Sequence, residues 1–228
     1  KRAVIIGSKQ TYGKGTVQNV YDLNRWLRQN DLGDMGALKI TTQKFYRING
    51  GSTQLEGVKS DVVVPDRFSY IDIGEKDLDN PLPWDKIAAA DYEVWDGYID
   101  YDQTISNSNE RMAKNKQLQL IEENAKWIKS KQDDSVWPLN IDAYAAKMEQ
   151  NEAEAKRFDE LRNYESGLTF KSLPYEIKKF ENDTVLKQKR ERWHEDLAKD
   201  VYMDEAINVL EDLKVNNIRR GKLADVRD

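Results

Sequence analysis

The chain has no cysteine and a single histidine, His194. Without cysteine there are no disulfides, no thiolate nucleophile and no thiolate metal site, a composition compatible with an oxidising compartment. One histidine excludes a His-rich metal centre. Glu195 follows it as in a zincin helix, but no second histidine completes that motif, so His194 reads as a surface residue. No apolar run approaches the roughly 20 residues of a membrane helix, which leaves at most a peripheral association with a membrane. An excess of basic charge is also missing. Lys and Arg number 36 against 41 Asp and Glu, a net charge of −5, and they are spread rather than clustered, which argues against a nucleic-acid partner. Apolar residues make up 39% and charged residues 34% of 228 positions. That balance fits one or two domains in which solvated helices surround modest cores.

What is present is organised around one glycine-rich stretch. Ala3-Val4-Ile5-Ile6-Gly7 is a short apolar run closed by glycine and reads as a buried strand. Soon after it comes Tyr12-Gly13-Lys14-Gly15-Thr16-Val17-Gln18, a lysine between two glycines with a glutamine four positions on. Glycines permit a sharp turn and a close backbone approach. Three readings of Lys14 compete. It is a surface lysine in a tight turn, or part of a phosphate-cradling loop, or a general base for a serine nucleophile. The phosphate loop G-x-x-x-x-G-K-[ST] fits poorly, because five residues separate Gly7 from Gly13 and Gly15 follows the lysine where a hydroxyl belongs. A general-base lysine must be neutral, which calls for desolvation or nearby positive charge.

Gly13-Lys14-Gly15-Thr16-Val17-Gln18 resembles the active-site lysine segment of the carboxyl-terminal processing, or tail-specific, serine proteases. Three further blocks follow in the family's order: Gly36 to Arg47, Asn49-Gly50-Gly51-Ser52-Thr53-Gln54, and Gly57 to Pro65. By this resemblance Lys14 is the general base and Gln18 holds it in place. The resemblance implies no metal and no cofactor. Ser60 stands where the family usually has proline. The nucleophilic serine of such enzymes lies upstream of the strand leading into the lysine motif, and Ser8, between strand and lysine, does not match its motif and reads as a turn residue. The chain is therefore expected to carry half of a Ser-Lys dyad, to be inactive alone, and to depend on upstream residues for its oxyanion donors and peptide-binding module.

The remaining chain reads as α+β: the C-terminal portion of a mixed α/β protease domain (residues 1–75), a connector (76–106) and an all-α helical extension (107–228). Val17 to Leu23 continues as a strand, and Asn24 to Arg28 suggests a short helical turn. Asp31 and Asp34 sit in a glycine-bearing loop but lack calcium-loop spacing. Leu38 to Ile48 alternates with period two. Lys44 and Arg47 read as exposed strand charges, with a clamp for a substrate carboxylate as the alternative. Val62-Val63-Val64 before Pro65 is a short buried strand. In the connector, Trp84 and Trp95 are apolar anchors, and Ile87 to Ala90 suggests a helical turn.

Helical spacing begins near Asn107, with Ser108 as N-cap, and Leu118, Ile121, Ala125 and Ile128 form a stripe. Trp137-Pro138 breaks the chain. A second helix is expected from Asp142 to about Tyr164, offering Ala145, Met148, Ala155, Phe158 and Leu161 for burial, with Gly167 as its stop. A third covers Val185 to Leu197. A fourth covers Asp204 to Val215, with Ala206, Ile207, Leu210 and Leu213 sharing a face. Glu149, Glu152, Glu154, Asp159 and Glu160 read as a solvated acidic face. The Asn182-Asp183-Thr184 triplet fits a glycosylation acceptor and is explained by chance. The helical region resembles the C-terminal extension of the tail-specific branch, which packs around the protease body and helps enclose substrate.

The function implied is an endopeptidase of the bacterial periplasm or cell envelope that acts on protein or peptide substrates through their C-termini. The alternatives are a helical scaffold that recruits a lipoprotein adaptor or other partner, and a nucleotide-binding protein built on the glycine loop.

Overall fold

The computed structural model describes residues 3–26, 33–93 and 99–219. Leu27, Arg28, Asp31, Trp95 and the tail beyond residue 219, each of which carries part of the reading above, lie outside the described residues. The described chain falls into two compact units. One takes residues 3–8, 60–71 and 99–219, and the other takes 9–26, 33–59 and 72–93. The fold is α+β.

The first unit pairs two short strands in parallel, β1 (Ile6–Gly7) and β4 (Val62–Val63), with Ile6 opposite Val62 and Gly7 opposite Val63. The strands are shorter and less buried than the apolar runs suggest: β1 covers only Ile6 and Gly7, with Ile5 39% exposed, and in β4 Val62 is buried while Val63 is 46% exposed, with Pro65 following. Six helices follow: α1 (Tyr101–Lys114), α2 (Lys116–Asp133), α3 (Ile141–Lys156), α4 (Pro174–Phe180), α5 (Thr184–Ala198) and α6 (Val201–Arg219). Val62, Val64 and Val209 form a buried cluster, with Val4, Ile6, Ile105, Met112, Tyr202 and Leu213 packed against it.

Short polar side chains start most of these helices by taking up otherwise unpaired first-turn N–H groups. Asp100 accepts from Gln103 N, Asn140 from Ala143 N, and Asp183 from Leu186 N. Asn115 both follows α1 and caps α2, accepting from Gln117 N at 2.9 Å and Leu118 N at 3.2 Å. Asp200 does the same for α6 through Tyr202 N and Met203 N.

Several expectations shift here. Ser108 is not an N-cap. Helix α1 starts seven residues earlier, capped by Asp100, and Ser108 lies buried in its interior with Oγ donating to Glu205 at 2.6 Å. The stripe of α6 is Val201, Glu205 and Val209, whereas Leu210 is 64% exposed. The positions are still spaced by four, but the middle one is a carboxylate that periodicity in apolar residues passes over. Arg111 explains how it is tolerated: its guanidinium contacts Glu205 at 2.7 Å and Asp212 at 2.7 Å. Helix α3 ends at Lys156, and residues 159–163 form a separate 3-10 turn. Met148 and Ala145 are exposed, and Phe158 is the buried member of the expected set, its ring tilted against that of Trp127 with centroids 5.6 Å apart. Helix α4 is a further helix that the sequence reading passed over. Glu154 is not simply solvated: Lys131, Trp127 Nε1 and Gln150 all bond its carboxylate and hold it well below the usual range, at about 2.

The second unit is an antiparallel ribbon, β2 (Thr16–Asp22) with β3 (Ala37–Lys44), embraced at one end by residues 46–59 and 72–90. Residues 87–90 are extended rather than helical, because Ile87 N and Ala90 N bond Gly50 O and Ile48 O. Trp84 Nε1 donates to Ser52 O at 2.9 Å, which ties residue 84 to the turn that follows β3.

Candidate functional site

Lys14 sits where the chain enters β2, in a loop pressed against residues 52–55. Leu55 N bonds Gly13 O at 2.7 Å, and Phe45 N bonds Gly15 O at 3.1 Å. Thr53 Oγ1 donates to Lys14 O at 3.0 Å, and Gly15 N donates to Gln54 Oε1 at 2.9 Å. The two flanking glycines are required by this approach. Gly13 has φ +92°, and a Cβ there would lie 2.8 Å from Leu55 O. A Cβ on Gly15 would lie 2.5 Å from Gln54 N. Both distances are inside van der Waals contact, so any side chain would push the lysine loop off its support.

The Lys14 amine donates to Gln18 Oε1 at 3.0 Å, and Gln18 Nε2 reaches Thr41 Oγ1 at 3.5 Å on β3. Lys14 lies in the loop before β2 and Gln18 within β2, next to an irregularity in the ladder. Val17 pairs with Gln43 but Gln18 with Thr41, so Thr42 is an extra residue and the ribbon bulges beside Gln18. Lys14 and Gln18 are both exposed. The desolvation that a general-base lysine calls for is therefore not provided by the described residues around Lys14.

The other residues singled out in the sequence have structural employment. Lys44 is not a free strand charge: its amine lies 3.1 Å from Asp85 Oδ2 and 3.4 Å from Pro83 O, and Tyr46 OH donates to the same carboxylate oxygen at 3.0 Å. Arg47 is exposed. Ser8 accepts at its carbonyl from Ser60 Oγ at 2.6 Å, as a turn residue does, and here the serine in the family's proline position makes the bond. Asp34 is occupied by Asn24 Nδ2 and Gly36 N, which lower its pKa, the backbone bond from Gly36 contributing most. His194 is half-buried with Nε2 3.4 Å from Ser172 Oγ. The phosphate-loop reading fails on topology. The glycine-lysine loop feeds a strand, so it presents no helix N-terminus to a phosphate.

Thr53, Gln54 and Asp85 are the polar groups that sequence reasoning left without a role. Thr53 and Gln54 stand in one of the resembling blocks, but their bonds to the lysine loop span 39 residues, and no local spacing announces them.

The described helices include none long and apolar enough to cross a membrane. Residues 1–64 match the family described as Peptidase family S41. Residues 68–215 match the family described as the C-terminal domain of tail specific protease. The chain is 39% identical over 165 residues to a tail-specific protease of Haemophilus influenzae, across 71% of this chain and 23% of that protein. It is 37% identical over 84 residues to a carboxy-terminal-processing protease of Bartonella bacilliformis, across 34% of this chain and 17% of that protein. The chain thus spans about a quarter or less of the length of these bacterial relatives. With a glycine-flanked lysine bonded to glutamine in the part that matches the peptidase, and the tail-specific C-terminal domain matched over most of the remainder, the chain belongs to the tail-specific protease family.

Proposed function

We propose that this chain supplies the general-base half of a serine endopeptidase that cleaves proteins near their C-termini in the bacterial periplasm or cell envelope. The observation that carries the reading is the 3.0 Å bond between Lys14 Nζ and Gln18 Oε1, in the segment that matches the peptidase family. A neutral amine has two N–H bonds and one lone pair. With one N–H donated to Gln18, the lone pair is left to accept the proton of a serine hydroxyl as its oxygen attacks the peptide carbonyl. The resulting ammonium then protonates the leaving amine, and water hydrolyses the acyl-enzyme by the same route. In this reading the serine and the oxyanion donors are supplied by the rest of the protease, and the chain alone would be inactive. Residues 1–75 complete the protease domain, a connector follows, and the helices from α1 onward form the helical domain, α1 beginning at Tyr101 rather than near residue 107. No metal or cofactor enters this chemistry.

The test is peptide hydrolysis by the full-length protease carrying Lys14→Ala. The expected result is loss of turnover with an unchanged circular dichroism spectrum. Wild-type turnover would refute the assignment.

A second reading, in which the helical part also recruits a lipoprotein adaptor, is favoured by the segment between α2 and α3. There Val136 and Leu139 are 76% and 104% exposed, and Ile141, which opens α3, is 77% exposed. Pull-down of such an adaptor by the full-length protein, lost on Leu139→Asp, supports it, and retention on that variant counts against it.

A further inference from the structure

A lysine side chain has four rotatable bonds, so its amine is placed only as well as the main chain that carries it. One peptide group, that joining Lys14 to Gly15, is gripped at both ends by two consecutive side chains. Thr53 Oγ1 donates to its carbonyl at 3.0 Å, and Gln54 Oε1 accepts from its N–H at 2.9 Å. Gln54 has no exposed surface and Thr53 is 8% exposed. The far end of the Gln54 amide donates to Leu82 O at 3.0 Å and to buried Glu75 at 3.3 Å. Both hydrogen-bonding ends of this buried amide are thus occupied, and its plane is fixed from two sides. Bonds in such a setting are directional and expensive to lose. A lysine serving only as surface charge needs no such support.

We propose that Thr53 and Gln54 are positioning residues for Lys14, fixing the plane of the Lys14–Gly15 peptide so that the amine meets both Gln18 and the reacting hydroxyl. This rests on Lys14 being the general base. The residue types follow from the geometry. Position 54 needs an acceptor for Gly15 N–H and a donor for a carbonyl and a carboxylate, which an amide combines. Glutamate supplies only the acceptor and sets a second carboxylate beside Glu75. Methionine fills the space but supplies no donor and only a weak acceptor. Position 53 needs a hydroxyl, which Thr53→Ser keeps and the isosteric Thr53→Val removes.

The experiment measures kcat and KM for peptide hydrolysis by the full-length protease, normalised to the concentration of titrated active serine. We expect Thr53→Val to lower kcat about tenfold or more with KM unchanged, and Gln54→Met about a hundredfold, since a misplacement of about 1 Å costs on that order. Thr53→Ser should return kcat to within about threefold of wild type. Normalisation removes unfolded enzyme from the comparison. Wild-type kcat per titrated site in Thr53→Val, even with a lowered Tm, would therefore reduce Thr53 to a purely structural role and overturn the proposal. Thr53→Ser no better than Thr53→Val would overturn it as well. If Gln54→Met does not fold, the Thr53 pair decides the outcome. Wild-type turnover in Lys14→Ala would instead sink the general-base assignment, a result distinguishable from failure at Thr53 alone.

Discussion

Lys14 donates a hydrogen bond to Gln18, with 3.0 Å between the amine nitrogen and the amide oxygen. In the proposed mechanism this bond orients the amine toward the serine hydroxyl, because an amine that donates in one direction accepts in another. Its consequence in the full-length protease is a positional one. Gln18→Ala should lower kcat by roughly ten- to a hundredfold while KM stays near its wild-type value, because substrate contacts are untouched and only the base is loosened. Steady-state kinetics on one peptide substrate separates the two parameters. An unchanged kcat would mean that the bond is incidental.

The helical unit makes a separate prediction. Arg111 neutralises Glu205, whose side chain is 4% exposed, and Ser108 donates to the same carboxylate. Removing one partner of a buried pair leaves a charge without compensation and typically costs about 3–5 kcal/mol. Arg111 is itself about one-third exposed and also bonds Asp212, so the lower end of that range is expected for Arg111→Ala, in urea denaturation of the chain. Replacing the pair together, as Arg111→Met with Glu205→Leu, should recover most of the loss. A loss below about 1 kcal/mol for the single variant would show that water reaches Glu205.

Glu154 predicts a dependence on acid. Its carboxylate is held down at about 2, against an ordinary 4.5, most strongly by Lys131 and then by Trp127 and Gln150. A group whose folded pKa is depressed adds stability above its unfolded pKa and loses it as pH falls through the folded value. The link between α2 and α3 should therefore be at full strength above about pH 4.5 and fade towards pH 2. The urea midpoint of Glu154→Gln should lie below that of wild type at pH 7 and converge with it near pH 2. A constant gap across that window would count against the network.

Much of the candidate site was legible because it is local. Lys14 and Gln18 are four residues apart, and the flanking glycines mark a close backbone approach that the structure places against Leu55 and Gln54. The supports were not legible. Thr53 and Gln54 reach the loop across 39 residues, and Asp85 claims Lys44 across a similar gap, so only the fold brings them together. In the helices, an apolar period finds Leu118 and Ala125 correctly. It misses a stripe whose middle member is glutamate. Apolar spacing alone places Leu210 on the face, but the buried member is Val209, 3% exposed, because that spacing does not anchor on Glu205. Ser108 misled for the same reason, since its hydroxyl serves that buried carboxylate rather than a helix end.

The central claim is that the Lys14 amine takes the proton of a serine nucleophile. The most direct measurement is the rate at which a fluorophosphonate probe labels that serine in the full-length protease, wild type against Lys14→Met. Methionine keeps most of the bulk of lysine and removes its basic nitrogen. General-base assistance is worth roughly 10²–10⁴-fold, so labelling should slow by at least about a hundredfold with Tm unchanged. Labelling at the wild-type rate would contradict the account.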